Sequence, residues 1–205
     1  MAIAFAELSR GRQPAAIAAA GRAIGESETM KIRFLAGRTY ALTGETEAAR
    51  SIAQALGNEL PAEPRAHAKV LEADLALAAG DPRRAISLLG EANGLLDTWI
   101  GRFELARAYL EAGAFAQADS EIDRCIARRG EALALFLDEE PTYGITPLLD
   151  YFQGRVREGL GTAAFAESYK RYLDLRGPAG EDALLAEVRR RIGGGGGTRA
   201  SKPTP

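Results

Sequence analysis

The stretch that decides the fold is Leu35–Leu56, LAGRTYALTGETEAARSIAQAL. Its composition and spacing are typical of two short amphipathic helices joined at Gly44. A small residue, Gly37, lies seven positions before this glycine, and Ala49 lies five positions after it. Small residues at these two places allow the helices of a hairpin to approach closely, while bulkier residues fill the seam between them. The stretch therefore predicts a helical hairpin hinged at Gly44.

The same spacing recurs along the chain. The hinge glycines are Gly11, Gly44, Gly80, Gly113 and Gly161. Seven positions before them lie Ala4, Gly37, Ala73, Ala106 and Gly154, and five positions after them lie Ala16, Ala49, Ala85, Ala118 and Ala166. Successive hinges are 33, 36, 33 and 48 residues apart. Five matches in series at a nearly constant pitch predict a row of similar hairpins.

This pattern resembles the tetratricopeptide repeat (TPR), a helix–turn–helix unit of 34 residues. The match is carried by Leu35, Gly37, Tyr40, Gly44, Ala49 and Pro61, and again by Leu105, Ala106, Tyr109, Gly113, Phe115 and Ala118. No unit has the family's tryptophan at its usual place in the first helix; Trp99 lies just before that place. The resemblance implies an all-α fold: a right-handed α-solenoid of about five TPR-like hairpins with a C-terminal capping helix.

The predicted solenoid covers residues 1–192. Its units are about 1–28, 31–58, 66–96, 98–129 and 147–176, with an insert at 130–146 and a capping helix at 181–192. In the last unit, Tyr169 and Tyr172 indicate that the second helix has slipped by one residue. Residues 193–205 are glycine-rich and polar, and we expect them to form a disordered tail.

Composition narrows the class of protein. Three valines in 205 residues argue against a β-sheet, and the dominant alanine, leucine, glutamate and arginine favour helices. A net charge of −2 gives no general attraction to nucleic acid or to an anionic membrane. The uncharged runs are too short to span a bilayer, and no basic segment precedes an apolar signal-like run. With one cysteine, the chain is predicted to be a cytoplasmic protein without membrane insertion.

Stacked hairpins of this type place their first helices along a concave groove. Positions 13, 10, 6 and 3 before each hinge share one helix face. The predicted groove residues are Lys31, Phe34, Arg38, Val70, Asp74, Phe103, Arg107, Tyr151 and Arg155. His67 is placed with Lys31 at the groove entrance.

Two interpretations of this groove remain open. In the functional one, the aromatic residues anchor a peptide while Arg38, Arg107 and Arg155 pair with its carboxylates or bind its backbone. In the structural one, these arginines are solvated, or they pair with Asp74 and Glu158 and hold the stack together. The family's carboxylate-binding members use groove asparagines, which this chain lacks there, so we do not expect it to grip a C-terminal carboxylate.

No catalytic constellation, metal site or cofactor is predicted. His67 is the only histidine, and a surface or loop-edge position is expected for it. Cys125 is expected to be a small core residue because no histidine lies in register to activate it. The acidic run 138–140 is expected to be a solvated turn rather than a cation site.

The predicted function is a non-catalytic scaffold that presents its groove to a protein or peptide and does not bind nucleic acid. The insert and the helix after it resemble the C-terminal TPR region found behind some bacterial serine/threonine kinases. By that resemblance, the chain is expected to be the regulatory C-terminal part of a larger bacterial signalling protein. Its first predicted helix is already apolar at Ile3, Phe5 and Leu8 and lacks the polar cap typical of a repeat stack, so Met1 need not be the natural start. The alternatives are a repeat domain that senses a small molecule, with the insert closing a pocket, and a helical enzyme with an unrecognised site.

Overall fold

A computed structural model describes residues 1–134, 146–177 and 183–194 of the chain. In these ranges it shows twelve helices and no strand, so the all-helical prediction is confirmed. The helices are α1 Ala2–Ser9, α2 Gln13–Glu26, α3 Met30–Thr43, α4 Thr46–Gly57, α5 Ala62–Ala78, α6 Pro82–Leu95, α7 Trp99–Glu111, α8 Phe115–Ala127, α9 Arg129–Ala134, α10 Thr146–Gly159, α11 Phe165–Arg176 and α12 Ala183–Gly194. No helix in the described ranges is both long and apolar enough to cross a membrane.

Ten of these helices form five hairpins that turn at the hinge glycines. Gly44 has φ +84°, a left-handed conformation that a side chain would strain, and the other four hinges have φ between +69° and +75°. Beside Gly44, the amide of Glu45 donates to the carbonyl of Tyr40 at 2.9 Å. This closure satisfies a carbonyl that the end of α3 leaves free, as in a Schellman motif. The hairpin and hinge assignments made from the sequence are therefore confirmed.

Side-chain caps fix the starts of three helices. Oδ1 of Asp81 accepts from the amide of Arg84 at 3.0 Å, and Pro82 occupies the first turn of α6. Thr29 and Thr98 cap α3 and α7 in the same way. The third unit starts at Ala62 rather than near residue 66 because Pro64 lies in the first helical turn of α5, where a missing amide hydrogen costs little.

The small residues before each hinge are buried at the contact between paired helices. Ala4, Ala73 and Ala106 are at most 3% exposed. A Cβ at Gly37 would lie 2.8 Å from Cδ1 of Leu71, and one at Gly154 would collide with the ring of Tyr169. Close packing against the Tyr169 ring therefore favours glycine at position 154, whereas at position 37 the end of the Leu71 side chain would have to shift.

The alanines after the hinges follow the predicted register in four of five hairpins. Ala16, Ala49, Ala85 and Ala118 are fully buried, whereas Ala166 is half-buried. In the fifth hairpin α11 begins four residues after its hinge instead of two, and it buries Ser168, Tyr169 and Tyr172. Counted from the hinge, these buried positions lie one residue earlier than Glu121, Ile122 and Cys125 of α8, which agrees with the predicted one-residue slip and leaves Ala166 outside the close contact.

The hairpins pack against one another in chain order. Each second helix contacts the first helix of the next hairpin, and successive first helices also contact one another, from α1/α3 through α3/α5 and α5/α7 to α7/α10. Helix α12 packs against α11. It spans Ala183–Gly194, so Gly193 and Gly194 belong to a helix and not to the predicted tail. Residues 195–205 and most of the predicted insert lie outside the described residues.

Candidate functional site

The predicted groove residues lie on the first helices α3, α5, α7 and α10, and most of them are buried. Phe34, Arg38, Val70, Asp74, Phe103 and Tyr151 are at most 5% exposed. Lys31, Arg107 and Arg155 are half-buried and still reach solvent. At the position six residues before the hinge, Arg38 and Asp74 are buried, whereas Arg107 and Arg155 reach solvent.

Four charged side chains from α3, α5 and α7 form a closed network that we call the charge quartet: Arg38, Asp74, Glu104 and Arg107. Arg38 donates from Nε to Oδ2 of Asp74 at 3.1 Å and from Nη2 to Oε1 of Glu104. Arg107 donates from Nη2 to Oδ1 of Asp74 at 2.6 Å. Its Nε lies 3.0 Å from Oε2 of Glu104, a charge contact without hydrogen-bond alignment. Each carboxylate therefore meets both guanidinium groups, and the quartet is neutral.

Burial and charge pairing shift the pKa values of Arg38 and Glu104 in opposite directions. Burial by itself would lower the pKa of Arg38, but the charges of Glu104 and Asp74 outweigh it and raise that pKa. Burial raises the pKa of Glu104 against the opposing attraction of Arg107 and Arg38. Removing one member would leave a charge uncompensated in a site with little water, which costs far more than the pairing of exposed charges returns.

The aromatic groove residues pack into the interior between hairpins. Phe103 stacks on Trp99 with ring centroids 5.3 Å apart and meets the edge of Phe152 at 5.4 Å. Phe34 meets His67 edge-on at 4.5 Å. Their rings connect adjacent first helices, whereas the sequence pattern had predicted that they face the groove.

His67 is buried, so the expected surface or loop-edge position was wrong. It is 1% exposed, and its Nδ1 lies 2.8 Å from the carbonyl oxygen of Glu63, which makes Nδ1 the protonated nitrogen. Its Nε2 is buried with no hydrogen-bond partner among the described residues. Burial lowers the pKa of His67, and the nearby charge of Arg38 lowers it further. The imidazole is therefore a neutral core group.

The fifth hairpin carries a second charge network around Arg155, and this one reaches solvent. Nη1 of Arg155 donates to the hydroxyl of Tyr151 at 3.0 Å and lies 3.4 Å from Oε1 of Glu187 on α12. Arg191 of α12 donates to Glu187 at 2.7 Å and to Glu158 at 2.8 Å. The side chains of Arg155 and Glu187 are 27% and 24% exposed, so solvent screens this pair more than it screens the quartet.

One recurring ion pair was missed in the sequence. Eleven positions before four hinges stand Arg33, Lys69, Arg102 and Asp150, and each pairs with a charge on or just after the second helix of its own hairpin. Their partners are Glu59, Glu91, Glu121 and Arg171. The charged residues eleven positions before the hinges recur at the hinge spacing, so they could have been recognised in the sequence. The partner positions do not repeat, so the pairs themselves had no periodic signal.

The remaining reactive groups have structural surroundings. Cys125 is buried, and burial raises the pKa of its thiol to about 12. Its carbonyl accepts from Nε1 of Trp99 at 2.9 Å, which ties α7 to α8. Within the described part of the chain, no group of three or more histidine, cysteine, aspartate or glutamate side chains could hold a metal ion. The acidic run 138–140 lies outside that part.

Comparison with known proteins does not assign this chain to a family. No protein-family model matches the sequence, and no curated protein matches it.

Proposed function

We propose that this protein is a non-catalytic protein-binding scaffold, a right-handed solenoid whose first helices present a groove to a protein or peptide partner. The observation that carries the proposal is the register of the quartet. Arg38, Asp74 and Arg107 occupy the same repeat position in three successive hairpins, and they contact one another. Side chains at equivalent positions of neighbouring first helices are therefore adjacent, which is the arrangement a continuous binding surface requires.

The accessible members of the groove define the kind of partner. Lys31, Arg107 and Arg155 retain solvent exposure and are all cationic. The buried members, Phe34 and Phe103 among them, would shape the floor beneath. We therefore propose a partner that places carboxylates over these cations, with charge complementarity setting specificity and association rate.

The proposed test compares two charge-neutralised forms of the whole chain. The groove variant is Lys31→Gln with Arg155→Gln, and the matched control is Arg50→Gln with Arg83→Gln on the exposed faces of α4 and α6. Arg38 is left intact, because its buried pairing makes its removal a folding defect. Each form is immobilised, and bound proteins are quantified by mass spectrometry.

We expect a partner that is depleted on the groove variant and retained on the control, with both variants remaining folded. A partner lost equally from both variants, or only from the control, would place recognition outside the groove. The cellular setting, a regulatory region of a bacterial cytoplasmic signalling protein, is a separate proposal. A kinase domain encoded in frame upstream would support it.

A further inference from the structure

Helix α12 contacts the two predicted groove residues of the fifth hairpin, Tyr151 and Arg155. The hydroxyl of Tyr151 lies 3.2 Å from each carboxylate oxygen of Glu187, to which it donates, and Nη1 of Arg155 lies 3.4 Å from Oε1 of the same residue. The ring of Tyr151 belongs to a buried cluster with Leu185 and Val188 of α12. Side chains of the chain itself therefore occupy this part of the predicted groove.

These contacts repeat a chemistry that the protein also uses in its interior. In α3 and α10 an arginine follows an aromatic residue by four positions: Cζ of Arg38 lies 6.0 Å from the centre of the Phe34 ring, and Cζ of Arg155 lies 6.0 Å from that of Tyr151. Arg38 binds the carboxylates of the quartet, and Arg155 binds that of Glu187. An arginine beside an aromatic ring suits a carboxylate that has apolar neighbours.

Helix α12 is held by fewer buried side chains than a helix within the row. Among residues 184–193 only Leu185 and Val188 are buried, whereas α7 buries nine of its thirteen residues. The four side chains of its two ion pairs with α10 are 24–34% exposed. Exposed ion pairs exchange partners at little cost, and elements with few buried contacts open without unfolding of the rest. Helix α12 is therefore easier for a competing ligand to replace than α7.

We propose that α12 is an internal competitor for the groove. Its Glu187 occupies Arg155 and Tyr151, with Leu185 and Val188 beside it, and a partner takes over this part of the groove by displacing α12. The partner that fits is a helix with a carboxylate between two apolar side chains. This competition rests on the groove function proposed above and adds regulation to it, because binding at the fifth hairpin then depends on how often α12 opens.

The opening of α12 is measured on the whole chain by the rate of thiol labelling. Val188→Cys reports exposure of the buried face of α12, and Ile122→Cys in α8 is the matched control for unfolding of the row, since both native side chains are at most 1% exposed. The native Cys125 does not compete, because it is buried and burial raises its pKa to about 12. We expect the thiol at position 188 to react about tenfold faster or more than that at position 122. Equal rates would show that α12 opens only with the whole row, and would overturn the proposal.

Displacement is tested with a synthetic peptide of residues 183–194, the sequence of α12, and with the same peptide carrying Glu187→Gln. Tethering gives α12 an effective concentration in the millimolar range, so the peptides are added at about 1–5 mM. We expect the native peptide to speed labelling at position 188 by about threefold or more, the Gln peptide to speed it less, and neither to change labelling at position 122. An unchanged rate at position 188 with the native peptide would overturn the proposal.

The role of the carboxylate is also tested within the chain, without a peptide. Glu187→Gln is added to the Val188→Cys chain, with Glu47→Gln in an exposed pair of α4 as the matched control. We expect Glu187→Gln to speed labelling at position 188 by about twofold or more and the control to leave it unchanged. Equal rates in the two variants would show that Glu187 does not hold α12 on the groove, and the competition by this carboxylate would be wrong.

Failure of this inference and failure of the proposed function give different results. If the peptide does not displace α12 but the variant with Lys31→Gln and Arg155→Gln still loses a partner, the groove binds without internal competition and only this inference is wrong. If the peptide displaces α12 but no partner is lost from that variant, α12 is a displaceable helix and the groove function is the proposal that fails.

Discussion

The residues six positions before the hinge glycines lie in two different environments. In the second and third hairpins this position holds Arg38 and Asp74, whose charges are enclosed with Glu104, and in the fourth it holds Arg107, which joins the same network but is 18% exposed. In the fifth hairpin it holds Arg155, whose partner on α12 remains about one quarter exposed. Pairing between neighbouring helices is common to both regions, and only the burial differs.

The difference shows why a repeat register does not by itself assign function. An enclosed arginine with two carboxylate partners is committed to holding hairpins together, since an outside ligand would have to replace buried contacts. A solvent-exposed arginine can exchange its partner at little cost. Arg38, Asp74 and Glu104 therefore act as a structural joint between hairpins, and the accessible cations Lys31 and Arg155 are the residues that binding experiments should change.

The largest expected effect is that of Asp74→Asn. The substitution keeps the size of the side chain but leaves the buried guanidinium of Arg38 and the half-buried one of Arg107 facing reduced negative charge. We expect the free energy of unfolding to fall by about 3–5 kcal/mol. Urea denaturation measures it, with Glu47→Gln in an exposed pair as the control, for which a change of about 0.5 kcal/mol or less is expected. Similar losses in both variants would show that the quartet is no more than a surface network.

Gly154→Ala tests whether α10 and α11 of the fifth hairpin are tightly packed, although the charges of this hairpin are more exposed than those of the quartet. The new Cβ would collide with the ring of Tyr169, so we expect a loss of about 1–3 kcal/mol. Gly90→Ala in α6 is the matched control, because nothing lies within 4 Å of its Cβ. A gain of about 0.5–1 kcal/mol is expected there. Stabilisation by both substitutions would contradict the close contact between α10 and α11.

Glu187→Gln measures the exposed network directly. It removes a charge that faces Arg155 and Arg191, and we expect a loss of about 1 kcal/mol or less because solvent already screens the site. Comparing urea denaturation at about 0.05 M and about 1 M salt, we expect the loss to shrink at the higher concentration. The Asp74→Asn loss should change much less. Equal salt sensitivity of the two variants would remove the distinction between enclosed and exposed regions.

His67 gives the most local test of the enclosed region. Burial lowers its pKa, so the folded state disfavours the protonated imidazole. Its contribution to stability is present above the ordinary histidine pKa of about 6.5 and is lost as pH falls through the lowered folded value. As the only histidine, its ring proton titration can be followed by NMR without assignment. A folded pKa at or above about 6.5 would contradict the burial, and His67→Gln should flatten the stability profile in this range.

Several features of the fold could be predicted from residue spacing because they depend on local constraints. The hinge at Gly44 needs a left-handed conformation, which glycine adopts without strain, and Ala49 meets a helix only a few residues away along the chain. The one-residue slip of α11 was predictable for the same reason, since Tyr169 and Tyr172 have a visible helical spacing. The burial of His67 was missed because it depends on Phe34 of the preceding hairpin.

The candidate site was predicted less well than the fold. The periodic stripe predicted equivalent faces for Arg38, Asp74 and Arg107, which contact one another, but it could not give their exposure. Glu104 was not in the predicted set, because it lies nine rather than six positions before its hinge. It completes the quartet by reaching Arg38, two hairpins away.

The sequence by itself determined the hairpin, its hinge and its pitch, because each depends on conformational preferences and contacts within about 34 residues. Only the tertiary structure decided which charges are enclosed and which remain partly exposed. Burial is a property of all the elements that surround a side chain, and helical periodicity carries no information on how closely successive hairpins approach.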